Sequence, residues 1–365
     1  MTPRARLTVR DLRVRAVSVP MRLPLQTSSG TIRIAPLALI DLDTEEGVTG
    51  STYLFCYTPL VLKPVTELLG NLAPLIKGDA VAPFEINQKL LRQFRLLGAK
   101  GITGMAMAGI DMAVWDALAR AHAMPLARLL GGQPRRIAAY NSCGLGLIGS
   151  ERAADEAGQL LDSGFQAIKL RLGYPELKTD LEVVRAVRRS IGDSVQLMAD
   201  YNQALTVAEA IRRTEALAGE GLHWIEEPTR ADDYQGHAQI RQKTRTSIQM
   251  GENWWGAHEM ASCLAAGASD LGMPDAMKIG GVSGWMQAAA LGEAAGLPLS
   301  THLFPEISAH LLAVSPTAHW LEYVDWANPI LQEPLRIEGG HAIVPDAPGC
   351  GIAWDEAAVQ RYLAT

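Results

Sequence analysis

The chain has 365 residues, 48% of them hydrophobic and 20% charged, which is enough apolar material for a sizeable core and too much for a disordered chain. Lys and Arg number 33 against 39 Asp and Glu, a net charge of −6, so there is no basic surface for a polyanion and no nucleic-acid partner is expected. No run of 18 apolar residues is free of charge, arguing against a membrane span; Cys56, Cys143, Cys263 and Cys350 lie far apart without CxxC spacing, as in a reduced cytoplasmic chain.

Near the N-terminus Arg4, Arg6, Arg10, Arg13 and Arg15 are followed by no apolar signal core. Leu12, Val14 and Ala16 alternate with arginines, predicting a strand whose arginines are solvated. Leu37–Leu42 reads as a second strand, and Glu45, Glu46 and Gly47 as a turn before Val48. Helical patterns follow over Pro59–Ile76 and through the Ala-rich run Met105–Leu130, until Gly131, Gly132 and Pro134 break the chain. Strands followed by helices predict an α+β unit over residues 1–134.

From residue 135 the pattern becomes strand, turn, helix, repeated. Eight short apolar runs stand out: Ile137–Tyr140, Ala167–Leu172, Gln196–Ala199, His223–Ile225, Ser247–Met250, Leu271–Met273, Pro298–Ser300 and Trp320–Tyr323. Most are separated by helical stretches such as Ala208–Leu217 and Trp285–Ala295. Eight βα units predict a closed (β/α) barrel over 135–330, a modified TIM barrel of the α/β class. Residues 331–365, rich in Pro and Gly at their start, are expected to pack back on the first domain.

Asp200, Glu226 and Glu252 stand at the ends of the third, fourth and fifth runs, 26 residues apart each time. One acidic residue after a strand is commonly a turn or helix-cap residue. Three in register, on adjacent parallel strands, must converge at the barrel mouth. There they would raise one another's pKa unless a cation intervened, and an all-oxygen set selects a hard ion such as Mg²⁺. In the pair Glu226–Glu227 only one side chain can point inward, so Glu227 is read as a supporting residue. Lys169 and Arg171 share a face at the end of the second run, as do Asp200 and Asn202 at the third. Beside a metal site the two cations read as groups that bind or deprotonate an anionic substrate. Asp275 and His302 end the sixth and seventh runs, so the carboxylate can hold one imidazole nitrogen and make the other a base. Glu322, at the eighth, completes the ring and can donate a proton if its pKa is raised. Gly280, Gly281 and Gly284 fit either a phosphate cradle or a tight βα turn, the turn being the simpler reading, and His310 and His319 read as core.

The runs Ala-Asp200-Tyr-Asn202-Gln, Trp-Ile-Glu226-Glu-Pro, Met-Gly-Glu252-Asn, Pro-Asp275-Ala-Met-Lys278-Ile-Gly-Gly and Ser-Thr-His302-Leu-Phe resemble the mandelate racemase group of the enolase superfamily. So do Tyr53-Leu-Phe-Cys-Tyr57-Thr-Pro and Gly109-Ile-Asp-Met-Ala-Val-Trp-Asp-Ala-Leu in the first domain. The resemblance implies a capping α+β domain over a modified barrel, Mg²⁺ held by Asp200, Glu226 and Glu252, and abstraction of the proton next to a carboxylate. It further implies a homo-oligomer. By the same match Lys169 neutralises the substrate carboxylate with Asn202 nearby, Ser142 is a further carboxylate contact, and Glu322 is the acid that hydrogen-bonds it. His302, oriented by Asp275, is the base for the R-enantiomer. Leu25, Ile32, Tyr57 and Val324 fall where the family packs an aromatic ring, beneath a mobile loop. One departure stands out: the family's second lysine, the base for the S-enantiomer, is Arg171 here, and a guanidinium is effectively always protonated.

These readings imply a racemase-like isomerase acting on an apolar or aryl 2-hydroxycarboxylate, with one working base at His302. An acid-sugar dehydratase using the same enediolate is the second expectation, and a metal-dependent hydroxy-acid binder without catalysis is the third.

Overall fold

The computed structural model describes residues 7–364, which places Arg4 and Arg6 outside the described residues. Alternating apolar positions build an antiparallel meander of β1 (Val9–Thr27), β2 (Gly30–Thr44) and β3 (Thr49–Phe55), in the order β1-β2-β3. The arginines of β1 are not simply solvated. Arg13 and Arg15 both pair with the buried Asp41 on β2, at 3.1 and 2.9 Å, because burying one carboxylate recruits the nearest cations. Four helices follow, α1 (Pro59–Ile76), α2 (Pro83–Gln93), α3 (Ile102–Ala121) and the single turn α4 (Leu126–Leu129). The expected continuous helix is thus broken at residues 122–125, where Ala123 has a positive φ and Pro125 follows.

Among the described residues, α3 is the one helix long and apolar enough to cross a membrane, but 83% of its apolar window is buried inside the protein. It is apolar on every side because it is the core helix of the first domain, packed on β2, β3 and α1. Its two acidic residues are buried and partnered. Asp116 accepts hydrogen bonds from the Ser51 and Cys350 amides and from Arg120, and Asp111 accepts from the Ser283 amide and hydroxyl.

The second domain alternates β4 (Arg136–Asn141), α5 (Ser150–Leu161), β5 (Ala167–Arg171), α6 (Leu177–Ile191), β6 (Gln196–Asp200), α7 (Val207–Leu217), β7 (Leu222–Glu226) and α8 (Tyr234–Lys243). It continues with β8 (Ser247–Met250), α9 (Ala257–Ala266), β9 (Leu271–Gly272), α10 (Gly281–Ala295), α11 (Pro305–Ala313) and β10 (Leu321–Tyr323). Strands β4 to β9 pair in sequence order, all parallel, and β10 pairs parallel with β4. The expected seventh strand is reduced to bridges at Leu299, one to Gly272 and one to Ala318. Pro298 offers no amide donor, so the ladder cannot extend there. The Ser300 amide still donates to the Gly272 carbonyl at 2.8 Å, and the ring of strands closes through such single bonds.

The glycine run after the sixth strand is a packed turn. Gly280 and Gly281 have φ of +101° and +72°, and a Cβ on Gly281 would lie 2.4 Å from Asp111 Oδ2, where α10 meets α3. The C-terminal segment does not go straight back to the first domain. Strands β11 (Ile337–Glu338) and β12 (His341–Ile343) first extend the barrel sheet, β12 running antiparallel to β4. Only beyond them does the chain return, with Trp354 donating to Asp41 Oδ1 at 2.7 Å and the Ser18 amide to the Tyr362 carbonyl at 2.8 Å; the last helix is α12 (Glu356–Arg361). The four cysteines are free and buried.

Candidate active site

Parallel register brings the carboxylates together. Arg171 pairs with Asp200 across β5–β6, and Asp200 with Glu226 across β6–β7, so strand ends line up at one mouth. Glu252 lies two residues beyond β8, in the turn rather than the strand. Oxygens of Asp200, Glu226 and Glu252 all lie within 4.8 Å of one another, and the first two side chains are fully buried. Burial pushes the Glu226 carboxyl up to about 8; Asp200, Glu252 and Glu322 push the same way and Lys169 opposes them. Three carboxylates this close, two of them fully buried, suit a hard divalent cation, so the donor set fits Mg²⁺.

Lys169 sits inside this ring, its Nζ 2.6 Å from Glu226 Oε1, 2.9 Å from Glu322 Oε1 and 3.5 Å from Asp200 Oδ2. Burial works against its charge, but these carboxylates outweigh burial and hold its pKa well above the ordinary value. The reciprocal effect corrects the expectation for Glu322. Burial alone would raise its pKa, but Lys169, His302 and the Leu303 amide, which donates to Oε2 at 2.9 Å, hold it well below the usual carboxylate range. Without substrate, Glu322 is therefore an anion and not a ready proton donor. Asn202 takes a left-handed φ of 46° and donates its amide and side chain to Asp200 at 2.7 and 2.9 Å. Its side-chain oxygen is buried without a partner, among the described residues.

Asp275 and His302 meet as a parallel bridge, with His302 Nδ1 2.6 Å from Asp275 Oδ2. The other carboxylate oxygen accepts from the Met277 and Lys278 amides at 2.7 and 3.0 Å. Nε2 is left facing the site, 3.4 Å from Glu252 Oε2. Burial disfavours the imidazolium, yet Glu252, Glu322 and Asp275 together lift the His302 pKa to about 9.

Arg171 is buried and held by neutral acceptors. It donates to the Ser142 and Gly144 carbonyls at 2.8 and 2.9 Å and to Ser142 Oγ at 2.8 Å, and its Nε has no partner among the described residues. Those bonds occupy Ser142, which does not line the cavity as the resemblance implied. The cavity, about 650 Å³, is lined by Lys169, Arg171, Asp200, Asn202, Glu252, His302 and Glu322 on the barrel side. Leu25, Ile32 and Tyr57 line it from the first domain, as expected. Val324 is buried but does not line it; Trp326 does, its ring centroid 4.8 Å from that of Phe55. Phe55 was within reach of sequence reasoning, because it stands two residues before Tyr57. Trp326, in a loop, carries no periodic signal. Glu227 is buried behind the cluster with a φ of 34°; burial, then Glu252, raises its pKa, and it accepts from Asn253 at 2.8 Å. Lys278 completes that support, donating to Asn253 Oδ1 at 2.7 Å beneath the Tyr57 ring.

Residues 9–131 match the mandelate racemase / muconate lactonizing enzyme N-terminal domain, and residues 152–358 the enolase C-terminal domain-like model. The chain belongs to the mandelate racemase/muconate lactonizing enzyme family. Among its relatives is a 3,6-anhydro-alpha-L-galactonate cycloisomerase of Streptomyces coelicolor, 32% identical over 92% of this chain and 94% of that one. An L-talarate/galactarate dehydratase of Salmonella typhimurium is 33% identical over 75% of this chain and 69% of its own. A solved enolase from Bradyrhizobium, complexed with magnesium and mandelic acid, is 43% identical, with both chains fully covered and a TM-score of 0.95. Family membership makes this an enolase-superfamily enzyme whose cofactor is Mg²⁺ and whose chemistry is proton abstraction. The relatives' dehydratase and cycloisomerase activities leave the narrower likeness to a racemase of hydroxy acids without special support.

Proposed function

We propose that this enzyme abstracts the α-proton of an aryl or apolar 2-hydroxycarboxylate, with His302 as the base. The observation that carries this reading is one cavity in which the His302–Asp275 pair and the Lys169–Glu322 pair face a wall of Leu25, Ile32, Ile34, Phe55 and Trp326. That wall suits a ring and offers few partners to hydroxyl groups. The Bradyrhizobium enzyme that holds mandelic acid supports the same substrate class.

Asp200, Glu226 and Glu252 would hold Mg²⁺, whose positive charge, when bound, stabilises negative charge developing on the substrate's carboxylate oxygens. Lys169 adds a second, fixed positive charge in a buried site. The carboxylates around His302 lift its pKa to about 9, so the ring must first be neutral. Nε2 then takes the α-proton, and Asp275 holds the ring and stabilises the imidazolium that results. Glu322 is an anion before substrate arrives, so it must gain a proton if it is to donate to the substrate carboxylate. Arg171 binds as a cation and does not act as a base. The expected outcome is α-proton exchange of the R-enantiomer without fast racemisation. Proton NMR of R- and S-mandelate in D₂O, with enzyme and Mg²⁺, tests it; equal exchange of both enantiomers would refute the one-base mechanism.

Acid-sugar dehydration is the second reading, favoured by the cavity's polar edge of Thr27, Ser29, Thr31, Arg33 and Gln203 and by the dehydratase relatives. It uses the same proton abstraction, followed by departure of the 3-hydroxyl as water with a proton returned by the His302 imidazolium, the resulting enol tautomerising to a 2-keto acid. A screen of sugar acids for 2-keto products distinguishes it.

A further inference from the structure

The residues that follow His302 are strained. Leu303 and Phe304 have φ of 51° and 48°, two consecutive non-glycine residues in the left-handed region. Side chains rarely tolerate this, and it persists only where surrounding contacts overdetermine the backbone. Most of those contacts come from the barrel. The Leu303 amide donates to Glu322 at 2.9 Å, and the Ser308 hydroxyl and amide donate to the Leu303 and Phe304 carbonyls, each at 2.9 Å.

One set comes from the first domain. Tyr53, on β3, lays its ring against Phe304 with centroids 5.3 Å apart. Its hydroxyl donates to Glu306 Oε2 at 2.8 Å, at the first turn of α11. Both side chains are almost completely buried, and Glu306 Oε1 has no partner among the described residues. A buried carboxyl with an unsatisfied oxygen is costly to keep, and burial raises the Glu306 pKa accordingly. Neither residue lines the cavity, so substrate contact does not explain them.

We infer that Tyr53 and Glu306 are positioning residues for the base: their hydrogen bond clamps the first domain onto the Leu303–Phe304 turn and so fixes the direction of the His302 ring. This rests on the proposed role of His302. It makes correct seating of the first domain a condition for proton abstraction, beyond its part in covering the substrate.

The test compares Y53F, E306L and E306Q with W115F in the full-length, Mg²⁺-loaded enzyme. Trp115 donates to Ser283 at 3.0 Å, a contact that also joins the two domains but lies away from the turn. Y53F and E306L should each lower kcat for α-proton exchange at least tenfold, with KM and Mg²⁺ affinity within twofold of the parent. E306Q, which keeps an acceptor, should recover most of the rate, and W115F should stay within twofold. The His302 ring signals, assigned by their loss in H302N, should shift in Y53F and not in W115F. Equal effects of Y53F and W115F, or a rise in KM with kcat unchanged, would overturn the inference. If the parent exchanges no 2-hydroxy acid, the proposed function fails by itself. The ring signals then decide alone: a shift in Y53F supports positioning, and none refutes it.

Discussion

Replacing Asp275 by Asn tests the base more sharply than deleting it. Asp275 Oδ1 accepts from two backbone amides, Met277 and Lys278, at 2.7 and 3.0 Å, and only an oxygen can stay there. An Asn at this position must therefore turn its NH₂ group toward His302 Nδ1, where Asp275 Oδ2 now lies at 2.6 Å. Facing a donor, Nδ1 must become the acceptor, and the ring proton moves to Nε2. The nitrogen that should take the substrate's proton then already carries one. General-base catalysis is worth about 10²–10⁴ in rate, and a wrong tautomer sits at the upper end. The expected loss in kcat for D275N is about 10³–10⁴, or about 4–5.5 kcal/mol. The isosteric change preserves both amide contacts, so thermal stability should fall little. Rates of α-proton exchange of R-mandelate in D₂O, with circular dichroism to confirm folding, measure this. A D275N enzyme within tenfold of the parent would mean that Asp275 does not set the tautomer or that His302 is not the base.

Chelation of Mg²⁺ should abolish exchange, and readdition should restore it while raising the melting temperature by a few degrees, as about 2.7 kcal/mol of binding at a hundredfold excess over Kd requires; E226Q should weaken Mg²⁺ at least tenfold by calorimetry, and unchanged affinity would remove Glu226 from the ligand set. R171K should add exchange of the S-enantiomer at least tenfold above the parent, since a lysine can lose its proton; no gain would mean that position 171 does not face the α-carbon. Burial lowers the His310 pKa to about 4, and its Nδ1 accepts from the Ala127 amide at 3.3 Å, which needs the neutral ring. Because the folded pKa lies below the unfolded value near 6.5, no cost arises above that pH; stability is lost as pH falls from 6.5 to 4, up to about 3 kcal/mol. Urea unfolding of the parent and H310N should converge across this window, and a constant difference between them would refute it.

The barrel was legible because its signals are local. Apolar runs alternating with helical stretches repeat along the chain, and in parallel strands equal intervals put strand ends at one mouth. That is why Asp200, Glu226, Glu252, Asp275 and His302 could be named before any fold was known, and why the structure gathers them. The missing seventh ladder was less legible, since Pro298 removes a donor without disturbing the apolar pattern. Whether a side chain reaches the cavity or stops short of it depends on packing between elements far apart in sequence. Ser142 lies behind Arg171 and accepts from it, Val324 stops short of the cavity that Trp326 lines, and Tyr53 crosses from the first domain to Glu306, 253 residues away. The ionisation of Glu322 likewise belongs to no sequence pattern. Its carboxyl is held low because folding sets Lys169 at 2.9 Å, with His302 and the Leu303 amide beside it, and together they outweigh the cost of burial. Residue types and their period settle which chemistry is possible; distances of a few ångströms, set only when both domains pack, settle which groups hold charge and which surface meets the substrate.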